Sequence, residues 1–529
     1  MMNGKQAQPD GTGALLAIER LVSFALRSRL IEPADEDYCR NLLLDQFGFT
    51  EPYAGEPGEP AAETPDSPQE PLDALIDYGS ETGLIPENTD TYRDLLNAKI
   101  MGHLMARPSE INAEFAALEA EQGIAAATDR FYRLSIDSNY IRMDRVSKNV
   151  YWLQPTSYGD IEMTINLSKP EKNPKEIAMA RLLPPPVYPK CQLCRENVGY
   201  AGRLNHPPRQ NLRTVPLTLN GEKWLFQYSP YVYYNEHCIV FHHDHVPMKL
   251  TKDTLKRLLG FVERFPHYFL GSNADLPIVG GSILTHDHFQ GGRHTFPIQK
   301  APIETSFAHP DYPNVRLGIV KWPMSVLRLT SGSPDELLEC SNALYEAWKA
   351  YSDESADILA FTEENGERQP HNTVTPIVRR SADGGYEMDL VLRNNRTSEE
   401  YPEGIFHPHR EMHHIKKENI GLIEVMGLAI LPGRLKEELE QIAAILSGDQ
   451  TNLDASVNDP AHPLAQHAAW IQDLCTRFGT NLSYESAVQT VRNEVGLKFA
   501  VILEHAGVYK RTAEGQEAFR RFVAAFGAR

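Results

Sequence analysis

Two histidines and a glutamine occupy alternate positions in a short glycine-flanked segment of this 529-residue chain. The segment, GGSILTHDHFQGGRHTF, spans residues 280–296. Because side chains alternate along a β-strand, we expect His286, His288 and Gln290 to share one face of a strand. A neutral imidazole nitrogen can attack phosphorus, and an amide can donate to a phosphoryl oxygen without adding charge. The pattern indicates covalent catalysis at a phosphate; for an H-x-H pair alone, a structural or surface role is the alternative.

Glycine pairs lie on both sides of this expected strand, at Gly280–Gly281 and Gly291–Gly292. Without a side chain, glycine lets a ligand or another backbone approach closely. We therefore expect Gly281 to lie near the substrate, and the glycines favour the catalytic interpretation of the histidines.

Six cysteines are present, and two of them, Cys191 and Cys194, lie close together as C-x-x-C. A thiolate pair at this spacing is a common half of a tetrahedral zinc site, which needs two further ligands. Two free thiols in a loop are the alternative. The other cysteines are scattered, which is not a disulfide framework for a chain of this length and indicates a reducing compartment.

Four stretches of the sequence resemble the second class of the galactose-1-phosphate uridylyltransferase family, a branch of the histidine-triad superfamily. They are HPPRQNLRTVPL (206–217), FQYSPYVYYNEHCIVF (226–241), THDHFQGGRH (285–294) and HPHREMHHIKKENIGLIEVMGLAILPGRL (407–435). Most of the wider superfamily has a third histidine at the place of Gln290. The resemblance implies that His288 is the nucleophile and that Gln290 holds the phosphoryl oxygens of a covalent uridylyl intermediate.

The implied reaction moves UMP from UDP-glucose to galactose 1-phosphate in two displacements at one site, which gives ping-pong kinetics. Two alternatives use the same nucleophile with another acceptor: a histidine-triad nucleotide hydrolase and a dinucleoside polyphosphate phosphorylase. A zinc-stabilised nucleotide-sugar binding protein without turnover is a third, and the intact H-x-H-x-Q motif argues against it. The resemblance also implies a homodimer.

Ligands for two metal sites follow from the same resemblance. For a structural zinc ion, the family completes the cysteine pair with an Asp-His pair and the first motif histidine, here Asp244-His245 and His286. His242 and His243 could take the place of His245. First-class relatives bind a second metal through a glutamate sixteen residues after the nucleophile, an isolated histidine and an H-x-H pair. The residues at these places are Glu304, His371, His407 and His409, and the last two have packing or substrate contact as an alternative role.

Anionic substrates need hydrogen-bond donors and cations. The expected substrate contacts are Gly281, Ser282, Lys169, Lys172, Arg209, Arg213 and Lys417. For each basic residue alone, a solvated surface charge is the alternative. Ser282 lies one position further upstream than the phosphate-contacting serine of the first class, which has Ser-Asn-Pro where this chain has Ile283-Leu284-Thr285.

An α+β fold is expected, with a histidine-triad-like unit present twice, a mainly antiparallel sheet and flanking helices. Apolar residues recur at three- and four-residue steps in 12–48, and 72–135 is also expected to be helical. Aromatic and β-branched runs from Tyr151 onwards predict strands, with amphipathic helices at 251–266 and 334–351. The expected organisation is a helical extension at 1–150 with a Pro/Glu-rich linker at 51–71, a nucleotidyl-transfer unit at 151–300, a second related unit at 301–432 and a helical region at 433–529.

Acidic residues outnumber basic ones by 71 to 52, and the formal net charge is −19. Such a surface repels a polyphosphate backbone at long range, which disfavours a nucleic-acid partner, whereas a small anionic ligand needs only a few local cations. No run approaches the roughly 20 apolar residues of a membrane span. Glu19 and Arg20 interrupt the first apolar run, so a signal peptide is not expected. We therefore expect a cytoplasmic enzyme that acts on small molecules.

Overall fold

The computed structural model of the protein describes residues 11–55, 64–168, 183, 187–281, 283–364 and 366–529. Helices and a mainly antiparallel sheet form the described chain, which confirms the predicted α+β class. The chain forms two compact units. The first consists of the described residues of Met1–Lys148, Ser168–Val232 and Cys238–Val246, and the second of those of Asn149–Leu167, Tyr233–His237 and Pro247–Arg529. The predicted division at residues 150, 300 and 432 follows different boundaries and stays a prediction.

The helices are numbered in chain order. They are α1 (Thr12–Arg27), α2 (Glu36–Phe47), α3 (Gln69–Glu81), α4 (Asp90–His103), α5 (Pro108–Gln122), α6 (Ile124–Asp137), α7 (Met143–Val146), α8 (Lys252–Arg264), α9 (Pro297–Lys300), α10 (Pro334–Ala350), α11 (Leu422–Val425), α12 (Leu435–Leu446), α13 (Gln450–Asn458), α14 (Ala468–Phe478), α15 (Tyr484–Ala506) and α16 (Ala513–Phe526).

The strands are numbered in the same way. They are β1 (Val150–Thr156), β2 (Gly159–Ile165), β3 (Val215–Leu219), β4 (Glu222–Tyr228), β5 (Cys238–His242), β6 (Phe269–Gly271), β7 (His288–Gly292), β8 (Ile303–Phe307), β9 (Arg316–Val320), β10 (Val326–Ser331), β11 (Phe361–Glu364), β12 (Glu367–Pro370), β13 (Asn372–Arg380), β14 (Tyr386–Asn394) and β15 (Leu428–Leu431).

The helices confirm what the apolar periodicity predicts. The regions 12–48 and 72–135 are mostly helical, and so is the chain after residue 433. α2 ends where Gly48 takes a left-handed conformation with φ 74°, which glycine adopts without a steric penalty. The last residues of the predicted linker belong to α3, which begins at Gln69; residues 56–63 of the linker lie outside the described residues. Among the described residues, no helix is both long and apolar enough to cross a lipid bilayer.

In the first unit, α6 packs on an antiparallel meander formed by β3, β4 and β5. Phe131 of α6 contacts Phe226 and Tyr228 of β4, with ring centroids 5.9 and 5.5 Å apart. The Tyr228 hydroxyl donates a hydrogen bond to the Thr128 carbonyl at 3.0 Å. The helical extension and these strands therefore share one apolar core.

In the second unit, strands lie in the order β7-β6-β13-β14-β10-β9-β8, and each neighbouring pair is antiparallel. The order of elements along the chain repeats. Three strands, a helix and two strands occur as β3–β5, α8 and β6–β7, and again as β8–β10, α10 and β13–β14, with the β11–β12 hairpin inserted. This repeat agrees with the predicted duplication. β15 pairs in parallel with β2, so the C-terminal part of the chain is joined to an early strand.

A buried ion-pair network joins three adjacent strands of this sheet. Asp389 of β14 is fully buried and contacts Arg328 of β10 at 2.7 Å and Arg379 of β13 at 2.8 Å. Burial is the largest single effect on the Asp389 carboxyl and raises its pKa, but the two guanidinium groups together outweigh it and hold the pKa below its ordinary value. A buried charge network is stable only while each charge keeps its partners.

Replacing Asp389 with alanine should leave Arg328 and Arg379 with Glu387 as their shared carboxylate partner, one negative charge for two positive ones. The free energy of unfolding should fall by about 3–5 kcal/mol. Urea unfolding at pH 7, followed by circular dichroism, measures the change. The matched control is Glu346→Ala, which removes an exposed ion pair with Lys349 at 3.2 Å and should cost less than about 1 kcal/mol. Equal losses in the two variants would contradict the importance of the buried network.

Candidate active site

His288 is the first residue of β7 and is held by a hydrogen bond to its own chain. Its Nδ1 lies 2.8 Å from the His286 carbonyl oxygen. Because a carbonyl can only accept, Nδ1 carries the proton and Nε2 carries the lone pair. His288 is 7% exposed, and burial lowers its pKa to about 4, with the carbonyl contact opposing the shift. At neutral pH the ring is therefore a neutral imidazole whose Nε2 can act as a nucleophile.

The expectation that His286 lies on the same strand is wrong. β7 begins at His288, and His286 lies in the preceding bend. The physical reason is that the His286 carbonyl accepts from the His288 ring, which bends the chain at this point. His288 and Gln290 keep the alternation along β7, and the His286 side chain is fully buried.

Gln290 contacts a histidine that the sequence analysis missed. His237 Nε2 lies 3.1 Å from Gln290 Oε1, and the His237 side chain is buried. It is separated from Gln290 by 53 residues, so no local spacing could have indicated the contact. The fold places it there through the short segment Tyr233–His237 of the second unit.

The glycines near the motif accommodate close approach of protein atoms. A Cβ on Gly281 would lie 2.5 Å from Asn273 Nδ2. At Gly292, where φ is 151°, a Cβ would lie 2.7 Å from the Glu236 carbonyl oxygen. At both positions a neighbouring chain segment lies so close that a residue with a Cβ would clash with it, which explains the glycines. The substrate contact expected of Gly281 stays a prediction.

Cys191, Cys194 and His245, three of the four ligands expected for the first metal site, lie together in the first unit. His286 belongs to the second unit, and its role as the fourth ligand stays a prediction. The sulfur atoms of the cysteine pair are 3.5 Å apart, and Cys194 Sγ lies 3.2 Å from His245 Nδ1. Ligand atoms at about 2.3 Å from a tetrahedral ion are about 3.8 Å apart, so the donor set fits such an ion. His242 and His243, the alternatives to His245 as ligands, make other contacts. The His243 side chain contacts Arg195, and the His242 ring contacts the backbone of Asp244.

The buried side chain of Asn197 forms hydrogen bonds to the backbone of the cysteine pair. Asn197 donates from Nδ2 to the carbonyl oxygens of Cys191 at 2.9 Å and Cys194 at 2.7 Å. Its Oδ1 accepts from His206 Nε2 at 2.7 Å, and burial lowers the pKa of His206 to about 4. Asn197 is fully buried. It therefore fixes the turn that presents both thiols.

The four residues of the expected second metal site do not form such a group in the described chain. Glu304 pairs with Arg511 at 2.7 Å. His371 hydrogen bonds to the Thr362 hydroxyl and the Asn395 side chain, and His407 to Asn419. His409 instead falls with Glu411 and His505 in a group that could hold a metal ion. The imidazoles of His409 and His505 stack with centroids 4.0 Å apart.

The expected substrate contacts lie in different environments. Lys169, Lys172 and Ser282 lie outside the described residues. Arg213 is buried, and its guanidinium donates to the carbonyl oxygens of residues 106, 210 and 212, which is a structural arrangement. Lys417 is exposed, whereas the preceding Lys416 is buried and pairs with Glu424 at 3.0 Å.

Arg209 lines a cavity of about 230 Å³ in the first unit. Its guanidinium lies 5.5 Å from the centre of the Tyr140 ring. Arg203, which the sequence analysis did not single out, also lines the cavity, and its Nε and Nη2 are buried without a hydrogen-bond partner among the described residues. Arg142 and Arg145 in the wall both form ion pairs with Asp94. The cavity thus offers guanidinium donors to an anionic ligand.

A neutral imidazole and a glutamine amide on one face of a strand, together with a cysteine pair on an α+β fold, are the features expected of a nucleotidyltransferase of histidine-triad type. The chain matches the family models described as galactose-1-phosphate uridyl transferase, N-terminal domain, over residues 31–247 and C-terminal domain over residues 261–459. It belongs to the galactose-1-phosphate uridylyltransferase family.

Similar proteins support this membership over almost the whole chain. A galactose-1-phosphate uridylyltransferase of Caldanaerobacter subterraneus subsp. tengcongensis is 56% identical over 514 residues, which cover 97% of this chain and 98% of the relative. Proteins of the same name from Halalkalibacterium halodurans and Bacillus subtilis are 53% and 51% identical, covering 96% and 97% of this chain and 98% of each relative. No solved structure matches the chain.

Replacing Asn197 with alanine should loosen the cysteine turn and lower metal affinity by about 10–100-fold. Titration with Co²⁺, whose thiolate complex absorbs light, measures the affinity in the folded protein. Glu196→Ala, on the same turn but without contacts to the cysteine carbonyls, is the control and should leave the affinity unchanged. Wild-type Co²⁺ affinity in a folded Asn197→Ala protein would rule out this supporting role.

Proposed function

We propose that this protein transfers UMP from UDP-glucose to galactose 1-phosphate, giving UDP-galactose and glucose 1-phosphate. The observation that carries the proposal is the His288 ring, whose Nδ1–H is held by the His286 carbonyl so that Nε2 is the free lone pair. Family membership and the printed name of the relatives support the substrates. A homodimer and a cytoplasmic location stay predictions.

The proposed reaction consists of two displacements at one phosphorus. In the first, His288 Nε2 forms a bond to the α-phosphorus of UDP-glucose, the bond from that phosphorus to the bridging oxygen breaks, and glucose 1-phosphate leaves as an anion. In the second, a phosphate oxygen of galactose 1-phosphate attacks the same phosphorus and the N–P bond breaks. The Nδ1 proton stays on the ring throughout, so neither step needs a proton transfer to or from His288.

Gln290 is proposed to stabilise the charge that spreads over the phosphoryl oxygens. Its Oε1 faces His237, which leaves the amide NH₂ group to donate towards the phosphate. A neutral amide supplies hydrogen bonds without acting as an acid. A sugar phosphate leaves readily as an anion, so the departing group needs no proton.

We further propose that the metal of the group Cys191, Cys194, His245 and His286 is zinc. Two sulfur donors and the nitrogen donor of His245 lie close together and support this choice. When bound, zinc would supply rigidity rather than reaction chemistry, because four protein ligands fill a tetrahedral ion. The residue it would fix is His286, whose carbonyl orients His288. A second metal held by Glu304, His371, His407 and His409 has no support from their separate contacts.

The cavity of the first unit is proposed to take an anionic part of the substrates. The guanidinium groups of Arg203 and Arg209 support this, because among the described residues neither forms an ion pair with a carboxylate, whereas Arg142 and Arg145 share Asp94. Buried nitrogens of Arg203 without partners favour an anionic ligand.

Uridine-labelled UDP-glucose should leave label on His288 when the protein is denatured before the acceptor is added. The physical reason is the covalent intermediate, which accumulates when no galactose 1-phosphate is present. Peptide mapping locates the label. His288→Gly should bind UDP-glucose but retain no label and show no transfer.

The acceptor that removes the label distinguishes the proposed transferase from a nucleotide hydrolase and from a dinucleoside polyphosphate phosphorylase. Galactose 1-phosphate should discharge the labelled protein to UDP-galactose, and water or inorganic phosphate should do so far more slowly. Rapid discharge by water would identify a hydrolase, and rapid discharge by phosphate a phosphorylase. Transfer at the wild-type rate by His288→Gly would end the proposal.

Replacing Arg203 and Arg209 together with leucine should weaken substrate binding, because two charged donors to the ligand are lost. A loss of about 1.5–3 kcal/mol for each charged hydrogen bond predicts at least a tenfold rise in KM. Steady-state kinetics with both substrates shows which one is affected. Arg93→Leu, which removes an ion pair with Asp77 at 2.8 Å outside the cavity, is the control. Unchanged KM for both substrates in the double variant would exclude the cavity.

A further inference from the structure

His237 is a buried histidine that the proposed reaction does not use directly. It is 2% exposed, and its Nε2 contacts Gln290 Oε1 at 3.1 Å. Its Nδ1 is buried and has no hydrogen-bond partner among the described residues. A buried imidazole whose side-chain hydrogen bond among the described residues goes to a residue of the proposed catalytic strand calls for a physical explanation.

The surroundings of the ring determine which nitrogen carries the proton. A proton on Nδ1 would be a buried donor without an acceptor, whereas a proton on Nε2 is used by Gln290 Oε1. The doubly protonated form is excluded at neutral pH, because burial lowers the pKa of His237 to about 4 although the contact with Gln290 opposes the shift. His237 is therefore neutral and donates from Nε2.

This tautomer sets the orientation of the Gln290 amide. The hydrogen-bonding neighbours of a glutamine side chain determine which way its oxygen and its nitrogen point. The Nε2–H of His237 requires the oxygen, and the NH₂ group must then point away from His237. In the opposite orientation Gln290 would present its oxygen to a phosphoryl group, and two acceptors would repel each other.

Two tyrosines hold the His237 ring in this position. The rings of Tyr233 and Tyr234 contact it with centroids 5.4 and 4.6 Å away. Tyr234 also donates from its hydroxyl to the Gly291 carbonyl at 3.0 Å, which connects it to the strand that carries Gln290. The imidazole is thus fixed relative to the amide that it contacts.

We propose that His237 is a positioning residue that holds the Gln290 amide with its NH₂ group directed to the phosphoryl group transferred by His288. The proposal rests on the function proposed above for His288 and Gln290. It assigns to His237 no contact with substrate, so its replacement should slow the chemical step while UDP-glucose binding is little changed.

Three single variants separate donation from packing. His237→Leu removes the donor. His237→Gln can place an amide N–H near the position of Nε2, and His237→Asn carries the same amide one bond too short to reach it. The rate of glucose 1-phosphate release in a single turnover with UDP-glucose reports uridylylation, and equilibrium titration gives the Kd of UDP-glucose. Circular dichroism and the Tm establish that each variant is folded.

We expect His237→Leu and His237→Asn to slow uridylylation by about 10–100-fold. This is less than the roughly 100–1,000-fold loss on removing a donor to a developing charge, because Gln290 stays in place and loses only its fixed orientation. His237→Gln should recover most of the rate. In a Gln290→Ala background, His237→Leu should cause almost no further loss, because the residue acts through Gln290. Wild-type rates in a folded His237→Leu or His237→Asn protein, equal rates in His237→Gln and His237→Asn, or losses that multiply in the double variant would overturn the proposal. If His237→Leu does not fold, the comparison of Gln with Asn decides.

The same labelling separates this proposal from the one on which it rests. If wild-type protein retains uridylyl label on His288 but the His237 variants label at the wild-type rate, the positioning role alone is wrong. If the wild-type protein retains no label on His288, the proposed covalent function itself is wrong.

Discussion

The hydrogen bond from the His288 ring to the His286 carbonyl is the constraint on which the proposed chemistry depends. It fixes the tautomer and the direction of the ring at once, so the lone pair lies on Nε2. Because the two partners are two residues apart, the bond forms with the local bend and needs no distant segment.

Features that depend on neighbours along the chain could be predicted from the sequence. Apolar periodicity gave the helices of the extension, and the alternation of His288 and Gln290 on β7 follows from strand geometry. The cysteine pair was likewise a local signal. The strand was predicted to begin too early, at His286, because alternation alone does not tell where hydrogen bonding to a neighbouring strand starts.

Contacts between distant segments could not be predicted, and neighbouring basic residues show why. Arg209 lines a cavity, whereas the guanidinium group of Arg213, four positions later, donates hydrogen bonds to backbone carbonyl oxygens. Lys416 is buried in an ion pair while Lys417 is exposed. Composition and spacing are almost the same within each pair, and only the tertiary contacts distinguish the members. His237, Asn197 and Arg203 were missed for the same reason.

The side chains around the motif favour transfer to a phosphate acceptor over hydrolysis. An attacking water must lose a proton to a nearby base, whereas the phosphate group of a sugar phosphate is already ionised at neutral pH. Gln290 cannot take a proton. His237, which contacts Gln290, is a poor base because burial lowers its pKa to about 4. The His288 Nδ1 keeps its proton and donates it in a hydrogen bond to the His286 carbonyl. The other ring nitrogen, Nε2, forms the proposed bond to phosphorus. Neutral groups that donate hydrogen bonds but accept no proton therefore make an anionic acceptor the better partner for the proposed intermediate.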